Sequence, residues 1–305
     1  MSVDPAAVRE GSPRGGALRA LSRASWRRPR LKTFAQISLP VAAFLLVYVA
    51  ALVVLLVQGF WTTDSFTGKV IHSWNLDNFR KIAEAPYPTI ILRTLGMATA
   101  VTITCMVLAF PYAYFLVRIA GPRLRVALLV ATVLPLWVSY LVRVYSWRLI
   151  LNPEGALNWW LGLLGLPDQN IAYTNWAMWV VFTYIWLPFM VLPVYAALER
   201  IPYSYVEASA DLGARGLTTL RKVILPLAVP GLAAGSIFTF SLTLGDYIAP
   251  SLVGGPGSSL IGTVVFENLG LANNAPFAAA FAMVPLAIMA VFLVFMKRLG
   301  AFENL

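Results

Sequence analysis

Few side chains in this sequence could do chemistry, and they are scattered. There is one histidine, His72, and one cysteine, Cys105, so neither a Cys/His metal site nor an intrachain disulfide is expected. No Gly-x-x-x-x-Gly-Lys-Ser/Thr loop for nucleotide phosphates occurs; Gly68-Lys69-Val70 is the nearest string and fails on both sides. What remains is a small group of charges beside aromatic rings: Asp246 followed by Tyr247, Arg143 close to Trp137, Tyr140 and Tyr145, and Glu267. Carboxylates walled by aromatic rings suit a cation, through ion pairing and cation–π contact. The plainer alternatives stay open: Asp246 can cap a helix end or pair with Arg143, Trp and Tyr form belts at membrane surfaces, and Glu267 can be a solvated loop carboxylate. A membrane-embedded enzyme would need clustered His, Asp or Ser groups, and one histidine argues against such catalysis.

The elements that must position these residues are set by hydrophobicity. Apolar residues make up 59% of the 305 and charged residues 12%, too little polar surface to face water all round, so lipid is the expected solvent. A bilayer core of about 30 Å takes roughly 20 apolar residues of helix. Six stretches qualify: Phe34–Phe60, Ile90–Val117, Val126–Val144, Asn175–Ala197, Leu227–Ala249 and Phe277–Met296. Prolines inside them (Pro40, Pro111, Pro135, Pro188, Pro285) are tolerated where neighbouring helices satisfy the freed backbone groups. Charges inside spans are costly and therefore functional candidates. A stand-alone ion-coupled carrier would place acidic residues near the bilayer midplane or show inverted repeats, and neither is evident.

Basic residues orient the bundle. With the N-terminus in the cytoplasm, the tail, the loops between spans two and three and between spans four and five, and the C-terminus hold 17 of the 23 Lys and Arg residues, as the positive-inside rule requires. Both termini are then cytoplasmic, and the net charge of +10 reflects topology and anionic membrane lipid rather than nucleic acid. Residues 1–33 form a basic cytoplasmic tail, not a signal peptide; Ala17–Trp26 within it reads either as a short helix on the inner leaflet or as an unstructured basic stretch. Residues 34–305 form the transmembrane domain. The polar segment Thr62–Pro88 carries His72, expected at the surface. Asn152–Tyr173 is expected to hold a short helix at the outer interface with Leu157, Trp160, Leu161 and Leu164 on one face. Ser251–Pro276, with Gly254-Gly255-Pro256-Gly257, reads as a turn-rich outer loop. Arg93 starts the second span and is expected to snorkel to the interface.

The loop at about 199–225 is the informative one. Pro202 can open a helix that runs through Leu212, Gly213 stands where a left-handed cap ends it, and a second short helix is expected from Leu217 to Ile224 before Pro226 begins the fifth span. Small residues at Ala208, Ser209, Gly213 and Ala214 would let another protein approach closely. Glu207-Ala208-Ser209, three residues, Gly213, nine residues, Val223, one residue, Leu225-Pro226 resembles the "EAA" loop of bacterial ABC importer permeases, with Ser209 and Val223 as small departures. Leu187 to Tyr195, Leu244-Gly245-Asp246-Tyr247-Ile248-Ala249-Pro250 and Gly254-Gly255-Pro256 to Leu260-Ile261-Gly262 resemble the spermidine/putrescine-type branch. The likeness runs from about Phe34 to the C-terminus.

That resemblance implies an all-α, six-transmembrane-helix type I ABC importer permease in the bacterial cytoplasmic membrane. Its implied partners are a second, homologous permease subunit, two cytoplasmic ATPase subunits and an external or periplasmic substrate-binding protein. This chain would bind no cofactor; ATP and Mg would be used by the ATPase subunits. The coupling loop would be formed by Glu207, Ala208, Ser209, Asp211, Gly213, Ala214, Leu225 and Pro226, with Glu207 as the charged anchor and Gly213 as the bend. Trp137, Tyr140, Arg143, Asp246, Tyr247 and Glu267 would line the path. The expected cargo is a polyamine such as spermidine or putrescine, with iron, an opine, a phosphonate or another small solute as the alternative.

Overall fold

The computed structural model describes residues 29–64 and 67–298. The basic stretch Ala17–Trp26 lies outside the described residues. The chain falls into two units that part between Leu55 and Leu56. The first contains most of helix α1 (Pro29–Gln58), which runs through Pro40 without interruption and starts five residues before the expected Phe34.

In the second unit a short antiparallel hairpin, β1 (Thr62–Thr63) and β2 (Val70–Ile71), pairs Thr62 with Ile71 and Thr63 with Val70. Helix α2 (Asp77–Ile82) follows. Its buried Asn78 donates from Nδ2 to the carbonyls of Gly59 and Trp61 at 2.9 and 2.7 Å, which satisfies chain ends that would otherwise be left unpaired. Three long helices make the centre: α3 (Tyr87–Arg118) and, further along the chain, α7 (Asn175–Glu199) and α10 (Leu225–Gly245). Their facing side chains form one core that includes Val101, Cys105, Phe182, Ile185, Met190 and Ala228.

Because lipid is as apolar as leucine, burial alone gives little reason for these helices to associate; close backbone approach and hydrogen bonds do. Gly231 and Gly235 of α10 face α7. A Cβ at Gly231 would stand 2.5 Å from Ala197 Cβ, and one at Gly235 would stand 2.5 Å from Met190 Sδ. Thr239 Oγ1 donates to Thr102 Oγ1 of α3 at 3.3 Å, and Trp179 Nε1 of α7 donates to Thr104 Oγ1 at 3.1 Å.

The expected third span is not one helix. α4 (Pro122–Val133) passes into a 3₁₀ turn at Leu134–Trp137, Val138 and Ser139 are extended, and α5 (Tyr140–Leu151) and α6 (Ala156–Leu163) set off at 97°. Pro135 lies in the tightened turn just before the break, and Tyr140 starts the new direction. In α6, Leu157 and Leu161 turn inward with Asn158, while Trp159, Trp160 and Leu164 are exposed, so the face shared by Leu157, Trp160, Leu161 and Leu164 is only partly covered. Asn158 is buried because it holds the loop: it donates to the carbonyls of Pro153 and Gln169 and accepts from the Gln169 amide. Ser251–Pro276 also differs from a plain turn-rich loop. It contains α12 (Ile261–Gly270), whose Ile261 and Val264 pack with Ile90, Phe277 and Phe281. The last described element is α13 (Ala275–Arg298). Among the described residues, five helices are long and apolar enough to cross a bilayer, and the bent pair counted as one span brings the number to six.

The glycine contacts give a direct test. Gly235→Leu forces the α7–α10 interface apart and is expected to cost about 1–3 kcal/mol by overpacking. Thermal unfolding of the detergent-solubilised protein should fall by several degrees, whereas Gly270→Ala, where nothing lies within reach of a Cβ, should leave it unchanged.

Candidate functional site

Two regions concentrate the residues singled out by sequence. The first is the corner between α7 and α10. Tyr203 precedes α8 (Ser204–Asp211), and the helix ends in a left-handed glycine, Gly213, at φ +78°. The Gly213 amide donates to the Ala210 carbonyl at 2.8 Å and the Ala214 amide to the Ser209 carbonyl at 3.0 Å. These two bonds close the end of the helix and turn the chain sharply, a geometry that costs a residue with a Cβ far more than glycine. Ser209 and Thr219 share a 2.9 Å hydrogen bond that ties α8 to the next helical turn, and Val206 packs into the main core.

The chain past the turn is not the separate short helix expected for Leu217–Ile224. α9 (Gly216–Thr219) passes through a widened π turn at Leu220–Ile224 directly into α10, so Gly216–Gly245 is one continuous helical stretch. Pro226 accounts for the widening: it offers no N–H to the carbonyl four residues back, and its ring would collide there in a regular turn. Leu225 and Pro226 therefore sit inside a helix rather than at the start of one.

Inward anchoring leaves the other side of α8 bare. Glu207, Ala208 and Asp211 are exposed, and Leu212 is 89% exposed. Glu207 makes no ion pair or side-chain hydrogen bond among the described residues.

Two arginines fix this corner to α3, a role that charge counting alone does not show. Arg118 Nη2 donates to the Ile201 carbonyl at 3.0 Å, and its guanidinium lies 5.9 Å from the Tyr203 ring centre. Arg125 donates to the Leu116 and Val117 carbonyls, each at 2.9 Å, and stands 3.9 Å from Glu199 Oε1, which also accepts from Tyr195. The signal was present in the sequence, since basic residues near a helix C-terminus satisfy its last carbonyls.

The second region lies where two helix breaks meet. Asp246 follows the last turn of α10 in an extended conformation, and α11 (Ile248–Val253) starts just beyond it. Asp246 Oδ1 accepts from the Ala249 amide at 3.0 Å, and Oδ2 accepts the hydroxyl hydrogen of Tyr140, the first residue of α5. Asp246 thus caps the helix that follows it and bonds to Tyr140. Arg143 lies with its guanidinium 5.7 Å from the Tyr140 ring and forms no ion pair with Asp246. Tyr140 stacks on Trp186 of α7 at 5.7 Å and 13°. Among the described residues, Arg143 Nε, Trp186 Nε1 and Thr183 Oγ1 are buried without hydrogen-bond partners. Sequence reading missed Trp186 and Thr183, because a lone Trp or Thr in an apolar span carries no mark of its own. Tyr247 stacks on Phe266 of α12 at 4.4 Å. A Cβ on Gly262 would collide with the Asp246 carbonyl, so glycine is what lets α12 close on the break. Trp137 and Glu267 lie outside this cluster: Trp137 is 87% exposed, and Glu267 is exposed on α12.

Stacked apolar spans, an exposed helical corner anchored to their ends and a polar cluster at two helix breaks make this a multi-span membrane protein. Residues 14–301 match the model of the binding-protein-dependent transport system inner membrane component, and the chain belongs to that family. It is a multi-pass protein of the bacterial inner membrane. It is 46% identical to the inner membrane ABC transporter permease protein YdcU of Escherichia coli K12, over 96% of this chain and 98% of that one. It is 32% identical to the spermidine/putrescine transport system permease protein PotB of the same organism, over 76% of this chain and 84% of that one. A bacterial alginate ABC transporter, solved with an alginate pentasaccharide-bound periplasmic protein, shares the fold with a TM-score of 0.72 at 17% identity, over 90% of this chain and 96% of that chain.

The cap at Gly213 can be tested locally. Gly213→Val places a branched side chain at positive φ and is expected to cost about 1–2 kcal/mol. Trypsin cleavage after the exposed Arg215 should accelerate in the folded protein, while cleavage rates elsewhere stay as in wild type.

Proposed function

We propose that this chain forms the translocation pathway of an ATP-driven importer and that α8 is the part an ATPase subunit grips. The observation that carries the reading is the bare face of α8, with Leu212 projecting beside Ala208, Glu207 and Asp211 and the opposite face pinned to the core through Val206 and Ser209. In this reading both termini and the 199–225 corner are cytoplasmic, the bent pair counts as the third of six spans, and the basic tail of residues 1–33 faces anionic lipid. Two ATPase subunits use ATP and Mg, a second permease completes the pathway, and a binding protein delivers cargo from the outer side. Glu207 anchors α8 in the ATPase groove, and the left-handed turn at Gly213 sets its angle to the helix that continues into α10.

The cargo assignment is a polyamine. It is supported by the name of the spermidine/putrescine relative PotB and by the chemistry of Asp246 with Tyr140, Trp186 and Tyr247, a carboxylate among rings suited to an ammonium group. Trp137 and Glu267 would serve only at the mouth of such a path, since they stand apart from the cluster. A different small solute on the same scaffold is the second reading, favoured by the YdcU relative, whose name carries no cargo.

Leu212→Glu and Glu207→Arg are expected to lower transport-coupled ATP hydrolysis of the reconstituted complex at least about tenfold, a loss typical of one interface hot spot, with the permease still folded in the membrane. Wild-type coupling in both variants would remove α8 from the ATPase interface. In the same preparation, binding protein loaded with spermidine or putrescine should stimulate ATP hydrolysis. A response to another solute and none to any polyamine would remove the cargo assignment and leave the permease assignment in place.

A further inference from the structure

A groove of about 490 Å³ runs between α3 and α7, lined by Arg93, Gly96, Ala100, Thr104, Trp176 and Trp179 among others. Its floor is made by small residues four apart on α3. Gly96 has no Cβ, and nothing lies within 4 Å of where one would stand. One wall is the Trp176–Trp179 pair, in edge contact at 5.7 Å, with Trp179 fixed by its bond to Thr104. At one end sits the only charge among the lining residues, Arg93. Arg93 Nη1 reaches the Ser259 carbonyl at 3.4 Å, which orients the guanidinium and leaves its other N–H groups without a partner among the described residues. The lining contains no carboxylate.

We propose that this groove is a binding site for one phospholipid, with the phosphate on Arg93 and an acyl chain along Gly96, Ala100 and Thr104. The dimensions fit. From Arg93 to Thr104 the helix rises about 16 Å, close to half the roughly 30 Å bilayer core, so a head at Arg93 places its chain within one leaflet. A guanidinium takes a phosphate through paired, charge-assisted hydrogen bonds. The Trp176–Trp179 wall gives the chain an apolar surface to lie against. The alternative occupant, a helix of another subunit, would have to bring a carboxylate to Arg93. The proposal rests on the membrane location of the chain and is independent of its cargo.

The test titrates the full-length protein in detergent with dioleoylphosphatidylglycerol and reads bound lipid by native mass spectrometry. Wild type is expected to hold one lipid more tightly than the rest. Arg93→Ala should weaken that binding at least about tenfold, as expected for one charge-assisted pair, with the milder Arg93→Gln as a check on folding. Gly96→Leu should displace phosphatidylglycerol and phosphatidylethanolamine alike, because it fills the floor, whereas Leu92→Ala, on an exposed face, should change nothing. Unaltered lipid binding in Arg93→Gln and Gly96→Leu would overturn the proposal. So would competition by inorganic phosphate as strong as that by lipid. A third arm places a cysteine at Gly96 in a Cys105→Ser background: efficient cross-linking to another polypeptide in the assembled complex would mark the groove as a subunit interface and overturn the lipid assignment.

Discussion

The hydrogen bond between Tyr140 and Asp246 ties together the two places where this fold would otherwise fail. Inside a bilayer no water satisfies a broken backbone, so a span can be interrupted only where the protein itself supplies partners. Here two interruptions, one after Trp137 and one after Gly245, come together. Tyr140 opens the helix past the first break, and Asp246 caps the helix past the second. The side-chain bond joins the two breaks, Trp186 stacks on Tyr140, and Gly262 lets α12 close against the Asp246 backbone.

Around that point the architecture is conservative. α3, α7 and α10 associate through backbone proximity at Gly231 and Gly235 and through threonine hydroxyls that bond either their own helix or a neighbour. Those are the forces available where hydrophobic burial does not discriminate protein from lipid. The corner beyond α7 is held by another means, guanidinium groups on carbonyls at the ends of the helices, as suits a region at the membrane surface.

Hydropathy located the long helices to within a few residues, because about 20 apolar residues in a row admit few other structures. It failed at Val126–Val144, where composition stays apolar through a bend: Pro135 looks like the prolines that α1, α3 and α7 absorb, and nothing local shows that Val138 and Ser139 turn extended. It failed again at Ile261–Gly270, a helix hidden behind a glycine-rich stretch. Gly213 was legible because a left-handed helix end has a local signature. The fusion of the second loop helix with α10 was not, since proline is compatible with a helix start and with a widened turn. Of the polar cluster, Tyr140 and Asp246 could be named from their types, but their bond depends on residues 106 positions apart, which no local pattern encodes.

The unbroken course from Gly216 to Gly245 has a mechanical meaning. Thirty residues of helix form a strut about 45 Å long, attached at one end to α8 through Ser209 and Thr219 and ending at the other beside Asp246. Its regular α geometry is interrupted at the π turn Leu220–Ile224, and Pro230 lies further along it. One continuous helix thereby joins the exposed corner to the paired breaks, where Val144, Ala249 and Val253 pack in the same core as Tyr140.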